Sequence, residues 1–305
     1  MTATPQIFDP RACTLGEGPL WHPERQQLFW FDIVNCKLLS QQAGTPVEWV
    51  FDRMVSAAGW IDHDHLLIAS ETGLSRFNLE TGHEEMLCEI EADNALTRSN
   101  DGRADPWGGF WMGTMSKAGE PGRGTLYRWT PSELRVIETE MSTPNAICFD
   151  AARACAYYAD TKTRIIWRQP VDPQTGWPMG EKQVFVDLSA TSSSPEHKPD
   201  GAVVDAEGCL WNAQWGSARV ARYSPDGQFL SAIDLPTGHT SCPAFGGADL
   251  GTLYVTTAQQ KLPQERKEWW ETAGQVFEIC VDANGLSNPC IADLGHLGSE
   301  PATLN

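Results

Sequence analysis

The chain has 305 residues, 41% of them hydrophobic, enough to bury a full core in one large unit or two small ones. Its formal charge of −18 and pI near 4.7 repel phosphate backbones and anionic membranes, so neither nucleic acid nor a membrane is an expected partner. The same acidity favours a neutral substrate and eases departure of an anionic product.

The opening residues, MTATPQIFDPRACTLGEG, lack a basic segment followed by an apolar one, and nowhere do 18 apolar residues run together. The expectation is a soluble, unexported protein. Nine cysteines are scattered without a CxxC pair, which argues against a disulfide framework or zinc knuckle and for buried thiols in a reducing cytoplasm. Along the chain, LFWFD (28–32), LLIAS (66–70), FWMGT (110–114), AYYAD (156–160), CLWNA (209–213) and LYVTT (253–257) are short and rich in aromatic and β-branched residues. They are predicted strands. EEMLCEIEADNAL (84–96) comes nearest to helical spacing, but its flanks read as strand and loop, and the predicted fold class is all-β.

Each predicted strand is preceded by an anchor residue and, five positions after that anchor, by an Asp or His that opens a turn. The pairs are Glu17 and His22, Ala57 and Asp62, Asn100 and Asp105, Asn145 and Asp150, Asp200 and Asp205, and Ala244 and Asp249. Six copies at a mean spacing of about 45 residues match one four-stranded blade per repeat. The expected architecture is a single six-bladed β-propeller over 1–305, with SATSSSPEHKP (189–199) as an inserted loop. Either Gln6–Cys13 or Cys290–Leu294 would supply the strand that closes the ring.

The first strand of each propeller blade lines the central channel, so the anchors should form one ring at one mouth. Asp200 would then face the channel, while Asp205 caps a surface turn. Gly in GEG and PDG would let backbone or ligand approach closely. Glu17, Asn145 and Asp200 offer two carboxylates and an amide oxygen, a set suited to Ca2+, Mg2+ or Mn2+, with Zn2+ also open. Singly, such residues also satisfy strand ends by local hydrogen bonds; recurrence in phase favours the shared cation. Arg98 and Asn100, two apart on a predicted strand, should face the channel together. Arg98 is either a donor to substrate oxygens or a structural partner of the anchor carboxylates.

Other features read as structural. DHDH (62–65) occupies the turn phase and is expected to be solvated, and His22 and His197 match no metal signature. GxSxG, GxGxxG and P-loop motifs are absent. Most of the thirteen tryptophans belong to the core by their usual role in blades, with sugar stacking as the alternative.

LGEGPLWH (15–22), RSNDG with FWMGTM (98–115), GTLYR (124–128), TPNAICFD (143–150), KPDGAVVD (198–205) and TSCPAFGG with LYVTTA (240–258) together resemble the regucalcin/gluconolactonase family of six-bladed, metal-dependent lactonases. The resemblance implies that Glu17, Asn145 and Asp200 bind one divalent metal ion and that Arg98, Asn100 and Glu120 contact a sugar lactone. It also implies that Asp200 is the general base. Coordination lowers the proton affinity of a carboxylate, so a ligand-only role for Asp200 stands beside it. Asn145-Ala146 departs from the family's frequent Asn-Gly. Two rival readings are a related hydrolase of organophosphates or aryl esters and a non-catalytic calcium-binding or scaffold propeller.

Overall fold

A computed structural model describes residues 4–191, 194 and 196–291. Six four-stranded antiparallel sheets follow one another around a ring. Their innermost strands are Gly16–His22, Val55–Asp62, Thr97–Ala104, Pro144–Asp150, Lys198–Val204 and Thr240–Gly246, and each packs against the innermost strands of its two neighbours. All six anchors lie on these strands. The aromatic segments form the second strand of every blade, where burial on both faces explains their nearly continuous hydrophobicity. EEMLCE is the outer strand Glu84–Glu89. The only helices among the described residues are single turns, Leu188–Thr191 and Lys267–Trp270; none is long and apolar enough to cross a membrane.

Six apolar seams hold the ring, one between each adjacent pair of blades. Tyr157, Phe185 and Leu210 exemplify the seam between the fourth and fifth blades, and Trp21, Trp30 and Tyr254 the one between the first and last. Closure is made by the N-terminal segment: Gln6–Asp9 pairs antiparallel with Val276–Cys280. Arg11 carries the tie into the first blade, donating to Asp9 and to the Ser40 and Val47 carbonyls. Of the alternative closing segment, Cys290 and Ile291 form no strand and 292–294 lie outside the described residues. The proposed insertion, 189–199, is partly described as one helical turn leading to the fifth inner strand. All nine cysteines are free, six of them buried.

The inner strands are not regular at the anchors. Two residues stand outside the ladder between Glu17 and Leu20, Ser99 and Gly102, Asn145 and Cys148, Pro199 and Ala202, and Thr240 and Pro243. Bulges bend a strand and re-aim its side chains. Here they coincide with the residues that face the mouth. Gly18 at the first bulge has φ 53°, and a Cβ there would meet the Ser56 carbonyl oxygen at 2.3 Å. At Gly201 a Cβ would meet the Cys242 sulfur at 2.3 Å. Ala146 adopts the left-handed φ of 57° in the fourth blade, where glycine would be unstrained.

Two substitutions test this backbone reading by chemical denaturation. Gly18→Ala should cost at least about 2 kcal/mol, from conformation and from the carbonyl contact. Ala146→Gly should be neutral or stabilising by up to about 1 kcal/mol.

Candidate functional site

Three of the anchors, Glu17, Asn145 and Asp200, are set by hydrogen bonds around the start of their strands. The Asp32 carboxylate accepts the Thr14 and Leu15 amides at 2.9 and 3.1 Å, three and two residues before Glu17. Asp160 does the same for Ser142 and Thr143, at 2.7 and 3.2 Å, ahead of Asn145. At Asp200 the Asn212 side chain donates to the carbonyls of Asp200 and Gly201, at 2.9 and 3.1 Å.

Glu17, Asn145 and Asp200 come together on the wall of one cavity of about 420 Å³, with Arg98 and Asn100 beside them. All five are buried. A chain of hydrogen bonds fixes their orientation. Arg98 Nη1 donates to Asn100 Oδ1 (2.9 Å), and Asn100 Nδ2 donates to Asn145 Oδ1 (2.9 Å) and the Pro144 carbonyl (3.0 Å). Asn145 Nδ2 donates to Thr161 Oγ1 (2.8 Å), whose own hydrogen goes to the Pro199 carbonyl (2.7 Å). With its only hydrogen committed, Thr161 must accept from Asn145. The Asn145 amide nitrogen is thereby held toward Thr161 and its oxygen toward Asn100.

Among the described residues no side chain donates to either carboxylate. Glu17 accepts the Gly18 amide at 3.2 Å, and the Gly201 amide bonds to Asp200. Burial pushes both carboxyls well above the ordinary range; Asp101 adds to this at Glu17, and Glu17 and Asp101 add to it at Asp200. Arg98 opposes the rise, and burial lowers its own pKa to about 10, so it remains a cation at neutral pH. Asp101 lies off the cavity wall, its Oδ2 accepting the Ile147 amide at 2.8 Å. Two carboxylates and an amide oxygen, crowded in a dry mouth and short of donors, fit a hard divalent cation that keeps positions open toward the cavity.

Other expected sites fall elsewhere. Glu120 is exposed on the turn after the strand Phe110–Ser116, with Arg123 at 3.9 Å, and does not line the cavity. The Asp62 carboxylate accepts the amides of Asp64 and His65, a solvated turn as expected. His22 is buried, its Nε2 3.0 Å from the Asp62 carbonyl; His197 has its Nδ1 3.0 Å from Arg219. Asp205 caps its turn but is not a surface residue. It is buried, accepting the Glu207 and Cys209 amides, Trp211 Nε1 and Arg222. Ligand atoms of Asp205, Glu207 and Cys209 lie within 4.8 Å of one another, but Arg222 Nη2 already sits 2.7 Å from Asp205 and 2.6 Å from Glu207. That guanidinium occupies the place of a cation.

Sequence reasoning missed Thr161, Lys162, Lys198, Trp215 and Lys261, all of which line the cavity. They lie where second strands end or inner strands begin, the face on which the anchors also sit. Trp215 stacks on His239 with ring centroids 4.0 Å apart, and burial lowers His239 to a pKa of about 4, leaving a neutral aromatic pair at the wall.

A family model described as SMP-30/Gluconolactonase/LRE-like region matches residues 15–259. The chain belongs to this family. Among its SMP-30/gluconolactonase relatives, a 6-deoxy-6-sulfogluconolactonase of Pseudomonas putida is 34% identical over 281 residues, covering 91% of this chain and 95% of that protein. A pentonolactonase of Haloferax volcanii is 33% identical over 296 residues, 93% and 96% of the two chains. The crystal structure of a calcium-binding protein, regucalcin, from Agrobacterium tumefaciens superposes with a TM-score of 0.91 at 33% identity, covering 96% of this chain and 99% of that one.

Two measurements follow from the geometry. In metal-free buffer Asp200→Asn should raise the thermal midpoint, because it removes one of two crowded buried charges; a divalent cation should raise the midpoint of the wild type but not of the variant. Thr161→Val should weaken cation binding by about 10- to 100-fold in calorimetric titration, as loss of an orienting partner does.

Proposed function

We propose that this protein hydrolyses a sugar lactone to the corresponding aldonic acid at the cavity walled by Glu17, Asn145 and Asp200. The observation that supports this most is the pairing of two buried, donor-poor carboxylates with a buried arginine in one open cavity. Family membership and relatives named as lactonases support the reaction class. Glu17, Asn145 and Asp200 would hold one divalent ion, Ca2+, Mg2+, Mn2+ or Zn2+. When bound, it supplies Lewis acidity that polarises the lactone carbonyl and stabilises charge developing on oxygen.

The chain's own groups do the rest. Arg98 spends Nη1 on the Ser99 carbonyl and on Asn100, leaving Nη2 to donate to substrate oxygen and fix the ring. Both amide hydrogens of Asn100 are committed, so its contact with a sugar hydroxyl is through Oδ1 as acceptor, and it also positions Arg98 and Asn145. Water adds to the carbonyl carbon and its proton passes to the Asp200 carboxylate. The ring C–O bond then breaks, and that proton returns to the departing ring oxygen. Trp215 offers a flat apolar face for the sugar. Glu120 is an outer contact: the Gly119 carbonyl beside it accepts Lys162 Nζ at 2.7 Å, which holds its turn near the rim.

Acid release followed at constant pH across a panel of sugar lactones tests this. Asp200→Asn should lower kcat by about 100-fold or more while retaining a folded transition. Exhaustive chelation should abolish turnover and a divalent cation should restore it. Glu120→Ala should change KM by less than about threefold, as expected for an exposed contact. Cation binding without acid release from any lactone would instead favour the scaffold reading.

A further inference from the structure

The rim of the cavity carries the opposite charge from the protein as a whole. The chain has seven lysines. Lys37, Lys117 and Lys182 are each paired with a glutamate, Glu48, Glu71 and Glu138. Three of the other four, Lys162, Lys198 and Lys261, line this one cavity, and none has a carboxylate within 4.0 Å among the described residues. They come from three blades: the turn after Cys155–Asp160, the first residue of Lys198–Val204 and the loop after Thr252–Thr257. All three are exposed, whereas Glu17 and Asp200 are buried. Arg164 also lines the cavity but is spent on the carbonyls of Leu188, Ser194 and His197.

We propose that these lysines select a sugar lactone bearing a second anionic group, a sulfonate or phosphate ester, at the end remote from the reacting carbonyl; the inference rests on the lactonase reading above. A divalent ion held by Glu17, Asn145 and Asp200 would cancel the charge of the two carboxylates, and Arg98 and the three lysines would then leave the cavity positive. An uncharged lactone gains nothing from that potential. A substrate with its carbonyl at the buried carboxylates and its anionic end at the rim uses both halves of the site. The distant acidic surface is screened beyond about 8–10 Å, whereas lysines at the rim act at contact distance. Lys162 is pinned toward the rim by its bond to the Gly119 carbonyl and keeps two further hydrogens to donate.

The test compares kcat/KM of the metal-loaded enzyme for a six-carbon aldonolactone carrying a 6-sulfonate, for the 6-phosphate ester and for the 6-hydroxy parent. The charged substrates should exceed the parent by about tenfold or more, falling as salt rises. Substituting Lys162, Lys198 and Lys261 together by Gln should reduce that ratio toward one; arginine at the same positions should preserve it. Thermal unfolding verifies that each variant is folded. A wild-type ratio at or below one, or a ratio unmoved by the glutamine variant, overturns the inference and leaves lactone hydrolysis standing. No hydrolysis of any of the three lactones overturns the lactonase reading itself.

Discussion

The structure turns on like charges that the fold forces together. Glu17 and Asp200 belong to the first and fifth blades, and ring closure brings them to one buried mouth where neither finds a side-chain donor among the described residues. Burial alone disfavours a bare carboxylate, and a second one nearby deepens the cost. Six apolar seams and the N-terminal closing strand supply the stability against which that repulsion is held. A cation bound between such carboxylates would relieve that cost, which is the physical basis of the proposed metal site.

Much of this was readable from the sequence because a propeller repeats. A period of about 45 residues brings each anchor into register with the next, and the inner-strand position of Glu17, Asn100, Asn145 and Asp200 follows from phase alone. What phase does not carry is the third dimension of the loops. Resemblance assigns Glu120, within a Gly-rich turn, a substrate contact, and that turn holds it exposed beside Arg123. Asp205 shares its phase with the exposed Asp62 and Asp249 yet is buried, because Trp211 and Arg222 reach back to it. The same arrangement recurs at Asp105 with Trp111 and Arg128. Nor does the sequence distinguish the two candidate closing segments, since both carry apolar residues.

The lysines show that a net charge does not describe the charge at one site. An acidic total of −18 pointed to a neutral substrate, but a total has no direction. Two lysines on loops and one that opens an inner strand, far apart in sequence, share one rim. Their common signal is position: each follows a second strand or opens an inner one, on the face where the anchors lie. Aligning the loops of successive blades, and not only the strands, would have exposed it. Thr161 is of the same kind, a residue just past a second strand whose hydroxyl decides which way the Asn145 amide points.

The most direct measurement is anomalous scattering from crystals of the protein grown with Mn2+. The account predicts one strong peak within about 2.6 Å of oxygen atoms from Glu17, Asn145 and Asp200. A peak beside Asp205 and Glu207, or a fully occupied crystal with no density among the three anchors, would contradict it.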